Sequence, residues 1–266
     1  MTLIMGGRSL KLLYAIFTLL LHLEPALARV ISGVGDGNMW CIERERQALL
    51  ELKKGLIDDH NMLSSWGSED AKKNCCSWEG VQCSYQTGHA VQLYLADDNL
   101  IGPISSQIGN LSHLQSLYIR SINLKISGLE WLSHIVSIEH LDLSFMNLSV
   151  TNDWQRVVSR LPKLSELRLR NCSLPFITPS SLSHINSSKS LTDLDLSFNP
   201  RITSLIFPWL FNSSTNLISL DLSSNQITGS VPDFAIFPSL RVLLLHNNKL
   251  SGTLDESIGS LHKLEH

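Results

Sequence analysis

The sequence has no strong excess of charge of either sign: 21 lysines and arginines face 24 aspartates and glutamates, a net charge of −3 over 266 residues. A protein that grips a phosphate backbone needs a basic stripe, and without one nucleic acid is excluded as a partner. Aromatic residues are sparse, at 7%, so no aromatic-rich surface dominates the chain. No stretch reaches the roughly 20 uncharged apolar residues that cross a bilayer, so the chain holds no membrane span. Also missing are a glycine-flanked nucleophile elbow, a His-Glu-x-x-His pair, a phosphate loop and a kinase signature. Serine, histidine and aspartate are plentiful but stand at places set by a repeat. No catalytic, cofactor-binding or metal site is therefore expected, and the chain reads as a non-enzyme.

What the N-terminus does carry is Arg8 and Lys11, an apolar run from Leu12 to Leu21, and Ala26-Leu27-Ala28. Charge, apolar core and small residues in that order predict a cleaved secretory signal over 1–28, with the mature chain beginning near Arg29. An exported chain meets oxidising conditions. Four of the five cysteines, Cys41, Cys75, Cys76 and Cys83, cluster ahead of residue 88 and are expected to form two disulfides. Sequence alone permits three pairings, of which Cys75 with its neighbour Cys76 is disfavoured by disulfide geometry. Two alternatives stay open: Cys41 to Cys75 with Cys76 to Cys83, or the crossed arrangement. No histidine stands at zinc-ligand spacing near these thiols.

From residue 89 onward a frame of the form L-x-x-L-x-L recurs. It opens at Leu114, Ile138, Leu164, Leu191, Leu217, Leu240 and Leu264, with separations of 24, 26, 27, 26, 23 and 24 residues. A degenerate first copy opens at Ala90, so seven repeats are complete and an eighth has started. This frame at this period identifies the leucine-rich repeat. Alternate side chains of an extended segment point to opposite faces, so Leu143, Leu169, Leu196, Leu222 and Leu245 should line up in adjacent parallel strands. No coil buries its apolar face alone, so stacking supplies the core and the first coil needs a cover. The predicted fold is thus α/β: a right-handed solenoid with parallel strands on its concave face and a helical, disulfide-bonded N-terminal cap over 29–88.

Five positions after the second frame leucine stand Asn199, Asn225 and Asn248. An asparagine has both donor and acceptor groups with which to satisfy the strand-to-turn backbone. Cys172 takes this slot in the fourth repeat and reads as a buried structural thiol. Ile122 and Met146 take it in the second and third, cannot make those bonds, and predict local irregularity. Glycine-centred turns follow at Leu100-Ile-Gly102, Ile227-Thr-Gly229 and Leu250-Ser-Gly252, matching the L-x-G-x-I-P signature of the plant extracellular class of repeat. The second through fifth repeats lack it, so the convex side should be less regular in the middle.

In the cap, Leu49, Leu52 and Leu56 fall at i, i+3 and i+7, one face of an amphipathic helix that can cover the open core end. Trp66 and Trp78 read as packing residues. The run from Cys41-Ile-Glu-Arg-Glu-Arg through Leu63-Ser-Ser-Trp66 to Cys75-Cys76-Ser-Trp78-Glu-Gly-Val-Gln-Cys83 resembles the N-terminal domain of plant leucine-rich-repeat receptors. Within that group it is similar to receptor-like proteins of the ethylene-inducing xylanase receptor type, which perceive microbial molecules and lack a kinase. The resemblance implies that Cys41 pairs with Cys75 and Cys76 with Cys83. It also implies a longer protein, with more repeats, a second cysteine cover, a membrane helix and a short tail. His266 lies two residues into the eighth frame, so the chain is expected to be an N-terminal fragment.

Aromatic and arginine side chains on a rigid scaffold are the residues that interface hot spots favour. On the outward strand positions these are Tyr94, Tyr118, Arg120, His140, Phe145, Arg168, Arg170, Phe198, Arg241 and His246, with Glu166 and Asp193 between them. They are the expected contact residues for a protein, peptide or glycan ligand. Asp142, Asp195 and Asp221 recur in Leu-Asp-Leu-Ser and are discounted as repeat consensus. Sequons at Asn110, Asn147, Asn171, Asn186 and Asn212 are expected to be glycosylated in a secreted chain, and a glycan at Asn171 would obstruct part of the concave face. The function expected is the ligand-sensing part of a cell-surface immune receptor-like protein, at the plasma membrane with a co-receptor kinase if full length. The alternatives are a secreted inhibitor of the polygalacturonase-inhibiting type and the ectodomain of a receptor kinase.

Overall fold

The computed structural model describes residues 40–96, 98–177, 190–213, 215–252, 261 and 263–265. The signal stretch and Asn186 lie outside them.

The chain opens on helix α1, Glu43–Lys54, whose first turn holds Glu43 and Glu45 and whose last turn holds Lys53 and Lys54. Both placements complement the helix macrodipole and stabilise the helix. Its buried face is Glu45, Ala48, Leu49 and Leu52, and Gly55 ends it. Leu56 therefore falls past the helix, yet it packs half-buried against the same core. Strands β1 (Ile57–Asp58), β2 (Val81–Cys83) and β3 (Ala90–Leu95) complete the cap and enter the first coil. Trp66 and Trp78 are buried and stacked with centroids 5.2 Å apart, and each indole donates to a backbone carbonyl, Glu79 O and Lys72 O respectively, at 2.8 Å. Buried rings with satisfied N–H groups are packing residues. Cys41 is bonded to Cys75 and Cys76 to Cys83.

Beyond the cap the strands are β4 (Leu100–Pro103), β5 (Ser116–Ile119), β6 (Leu124–Lys125), β7 (His140–Asp142), β8 (Glu166–Arg168), β9 (Asp193–Asp195), β10 (Ser219–Asp221), β11 (Thr228–Gly229), β12 (Val242–Leu244) and β13 (Lys249–Leu250). The main sheet has the order β12-β10-β9-β8-β7-β5-β3-β2. All its pairings are parallel except β2 on β3, which is antiparallel and closes the cap end. One register line runs through Leu93, Leu117, Leu141, Leu167, Leu194, Leu220 and Leu243. Beside it lie Leu95, Ile119, Leu143, Leu169, Leu196 and Leu222, all fully buried, with Leu245 half-buried in the last described coil. Each burial removes a whole aliphatic side chain from water, worth about 2 kcal/mol.

Asparagines hold the strand-to-turn corners. Asn199 Oδ1 accepts the amides of Cys172 and Leu174 at 3.0 and 3.1 Å, while its Nδ2 donates to the carbonyls of Leu169 and Leu196 at 2.8 and 3.0 Å. Asn225 accepts from Asn199 N, and Asn248 from Ile227 N, in the same pattern. Each asparagine thus ties its own coil to the preceding one. Cys172 reproduces only the donor half, its Sγ lying 3.1 Å from Leu143 O and 3.4 Å from Arg170 O. One residue before the slot the backbone turns left-handed, at Phe145, Asn171, Phe198, Ser224 and Asn247. The expected irregularity occurs at Ile122, which swings out to 66% exposure while Ser121 turns inward without a left-handed corner. It does not occur at Met146. That side chain is buried, its amide bonds Leu143 O at 3.2 Å, and Leu148 N bonds Cys172 O at 2.8 Å. The Cys172 carbonyl thus takes the amide that an asparagine in the Cys172 slot would take.

Opposite the main sheet, the glycine turns make short ladders, β1-β4-β6 and β11-β13, with Gly102, Gly229 and Gly252 at positive φ. Among the described residues no strand joins those ladders through the middle. Helices α2 (Trp154–Val158) and α3 (Ile206–Ser213) fill that region instead. They bury Trp154 and Trp209 edge to face at 5.2 Å, so the longer repeats spend their extra residues on aromatic packing.

Candidate ligand-binding face

Alternation along each strand leaves two outward rows on the main sheet. The first is Gln92, Ser116, His140, Glu166, Asp193, Ser219 and Val242. The second is Tyr94, Tyr118, Asp142, Arg168, Asp195, Asp221 and Leu244. At the cap end Tyr94 and Tyr118 lie with ring centroids 6.1 Å apart, and His140 Nδ1 is 3.2 Å from Ser116 Oγ. Further along, Arg168 Nε meets Glu166 Oε1 at 2.6 Å. Beside it opens a hollow of about 180 Å³ lined by Arg168, Asp193, Leu194, Asp195, Ser219, Asp221 and Leu244. The rows end on the exposed apolar pair Val242 and Leu244. The face therefore grades from aromatic through mixed charge and acidic to apolar.

Of the residues read as contacts from the sequence, Tyr94, Tyr118, His140 and Arg168 lie together on these rows. Arg120, Arg170 and His246 come one residue after the inward aliphatic residue, on the rim where the strands end. Arg120 is drawn back onto the face: its Nε donates to Asp142 Oδ2 at 2.7 Å, and that bond holds the guanidinium pKa above its ordinary value. Phe145 and Phe198 stand on the left-handed corners, 40% exposed, and the Arg170 guanidinium sits 4.2 Å over the Phe198 ring. Arg241 precedes β12 and lies off both rows, with Glu265 at 3.3 Å.

The consensus aspartates have a backbone task. Asp142, Asp195 and Asp221 each accept the amide two residues on, from Ser144, Ser197 and Ser223, at 2.8–2.9 Å. Two of them nonetheless line the hollow, a role hidden by their consensus position. Cys172 is fully buried, and burial pushes its thiol pKa well up, so it stays protonated. Of the sequon asparagines, Asn147, Asn171 and Asn212 are exposed. Asn110 is half-buried, its amide spanning Arg44 and Gln107 at 2.7 Å.

One cluster escaped sequence reasoning. Glu45, His89 and His113 are brought together at the seam between cap and first coil, their ligand atoms within 4.8 Å of one another. The signal that could have found it is a lone carboxylate at i of the i, i+3, i+4, i+7 stripe Glu45, Ala48, Leu49, Leu52, an apolar helix face that should carry no charge.

Comparison with known proteins places this geometry. The model of the leucine rich repeat N-terminal domain matches residues 42–84, and that of leucine rich repeats (2 copies) matches 215–260. The chain is 32% identical to Receptor-like protein EIX1 of Solanum lycopersicum over 91% of its own length and 29% of that protein's. It is likewise 32% identical to Receptor-like protein EIX2 of the same plant, over 98% and 31%. The chain thus spans about three tenths of these relatives. Among solved structures it matches the Arabidopsis receptor kinase HAESA, in complex with the peptide hormone IDA and the co-receptor SERK1, with a TM-score of 0.51 and 23% identity over 84% of this chain and 45% of that one. That likeness concerns the fold. Among the described residues no helix is long and apolar enough to cross a membrane.

Proposed function

We propose, from the premise that this chain is a leucine-rich-repeat protein of the plant receptor-like kind, that it forms the extracellular ligand-binding part of a cell-surface receptor perceiving microbial molecules. It enters the secretory pathway on the 1–28 leader, carries the cap over 29–88 and presents its repeats across 89–266. The ligand is a protein, peptide or glycan, and a co-receptor kinase engages the full-length receptor. The observation that carries this reading is the graded outward face, with Tyr94 and Tyr118 at one end and the Arg168 hollow beyond them, mounted on a rigid leucine ladder. Two disulfides in the cap support an oxidising, extracellular setting.

Binding without catalysis is supported by how the reactive groups are spent. Asp142, Asp195 and Asp221 on the face hold backbone amides, and the free thiol is buried and protonated. The sequons at Asn110, Asn147, Asn171, Asn186 and Asn212 are taken as glycan sites, and a glycan at Asn171 would obstruct part of the concave face.

The test is affinity capture. The complete ectodomain encoded by the transcript is immobilised beside Tyr118→Ala and Arg168→Ala versions and exposed to microbial and plant wall extracts. Capture by the native protein that either substitution abolishes supports the reading. Capture that ignores both moves the binding site elsewhere. Capture of an intact wall-degrading enzyme with loss of its activity would instead make the protein an inhibitor.

A further inference from the structure

We propose that Glu45, His89 and His113 form a binding site for a borderline divalent transition ion, zinc foremost, that clamps the cap to the first coil. The three residues come from three elements: Glu45 from α1, His89 from the residue before β3, and His113 from the turn before β5. Glu45 is almost fully buried. Its Oε2 accepts Ala90 N at 2.7 Å, and its Oε1 faces His89 Nδ1 at 2.7 Å and His113 Nδ1 at 4.0 Å. A buried carboxylate must be compensated by positive charge or hydrogen bonds. The neighbouring arginines are committed elsewhere, Arg46 to Glu43 and Arg44 to Asn110, and among the described residues the basic side chains within 4.0 Å of it are the two imidazoles.

Those imidazoles are stacked with centroids 3.6 Å apart and planes 18° from parallel. A dication offers the buried carboxylate and the two ring nitrogens a common partner. Zinc takes nitrogen and carboxylate ligands at about 2.0–2.2 Å, which sets two ligands of a tetrahedral ion about 3.4 Å apart; Glu45 Oε1 and His89 Nδ1, 2.7 Å apart in a hydrogen bond, must open by about 0.7 Å to take one ion between them. His113 must move by about 1 Å and turn its ring so that the two lone pairs converge. Its side chain is 55% exposed and, besides the stack on His89, meets Ser112 Oγ at 3.3 Å. The exposed side of His113 leaves a fourth position for water. Two imidazoles with one carboxylate favour zinc, copper or nickel over calcium and magnesium, which prefer oxygen. The other candidate cluster, Cys41 with Cys75 and Cys76, has no thiolate to offer, because each sulfur is in a disulfide.

This inference does not rest on the receptor reading, and its test needs no ligand. The untagged, chelator-treated chain is titrated with zinc chloride at pH 7.5 by calorimetry, alongside His113→Ala and, as a control, His60→Ala at an exposed position outside the cluster. One zinc per chain is expected, with a rise in thermal midpoint. His113→Ala should weaken binding at least tenfold and lose the rise, while His60→Ala matches the native chain. Calcium and magnesium should do nothing. Cobalt added to the native chain should give visible absorption bands of nitrogen–oxygen coordination, a readout that requires no variant. Absence of saturable binding, absence of those bands, or equal affinity in His113→Ala would overturn the proposal.

Discussion

Replacing Asn199 by alanine isolates the asparagine ladder from the leucine core. The side chain is fully buried and contributes little apolar area, so its value lies in hydrogen bonds. Substitution strips the acceptor from two buried amides, Cys172 N and Leu174 N, and the donor from the carbonyls of Leu169 and Leu196. Each buried amide left unpaired costs about 1–3 kcal/mol. Carbonyls have a second lone pair and lose less. The expected loss is about 4 kcal/mol, large for one polar residue. Cys172→Ala removes only a weak thiol donor and should cost distinctly less, although the two residues occupy equivalent slots in adjacent coils. Solenoids need not unfold in one step, so denaturant midpoints are read together with amide hydrogen exchange at Cys172 and Leu174, which should speed up first. If Asn199→Ala costs no more than Cys172→Ala, or exchange rises evenly over all coils, the ladder is not what holds the corners.

Three further outcomes follow from the geometry. Cys172, buried with its thiol pKa pushed up, should resist iodoacetamide in the native protein and react at once in denaturant, as mass spectrometry would show; native-state labelling would mean that the fourth coil opens. The Cys41–Cys75 bond closes a 34-residue span and Cys76–Cys83 one of 7. Loop entropy then makes the double serine variant of the first pair cost about 4 kcal/mol and that of the second about 2 kcal/mol, and a reversed order in denaturant unfolding would contradict this. Arg120→Ala leaves Asp142 buried without its ion pair. Breaking a buried pair costs several kcal/mol, but the guanidinium is 40% exposed, so about 2 kcal/mol is expected after screening. Adding Asp142→Asn should recover part of the loss, and a double-mutant cycle with no coupling would refute the pairing.

The repeats were readable because they are written in aliphatic side chains at fixed spacing, and the same residue types that declare the period also form the core. Leu143, Leu169, Leu196 and Leu222 stand in register with nothing else needed to place them. The turn after the strand was only half readable. Ile122 and Met146 look equivalent as apolar replacements for asparagine, yet one swings out and the other packs in. The difference lies in the neighbouring coils. Met146 is followed by Cys172, whose carbonyl takes Leu148 N. In the second coil it is Ser121 that turns inward, with its Oγ taking the amide of Asn123. Hydrogen bonds between residues some 25 positions apart are set by stacking, and a single coil's sequence does not contain them.

The outward face divides in the same way. Alternation puts Tyr94, Tyr118, His140 and Arg168 on its rows, since outward rows follow from inward ones. Arg120, Arg170, Phe145, Phe198 and His246 lie on its rim because the strands are only three or four residues long, and a side chain past the strand end no longer obeys the period of two. Discounting Asp195 and Asp221 as consensus hid them for a different reason: a carboxylate can hold a backbone amide with one oxygen and still present negative charge to a hollow with the other. That dual use makes the acidic hollow inseparable from the fold. Asp221→Ala would release Ser223 N as well as alter the surface, so a loss of ligand with this variant cannot by itself distinguish contact from collapse. Asp193, which stands on the other row and accepts from the Thr192 hydroxyl, is the residue through which the hollow is best probed.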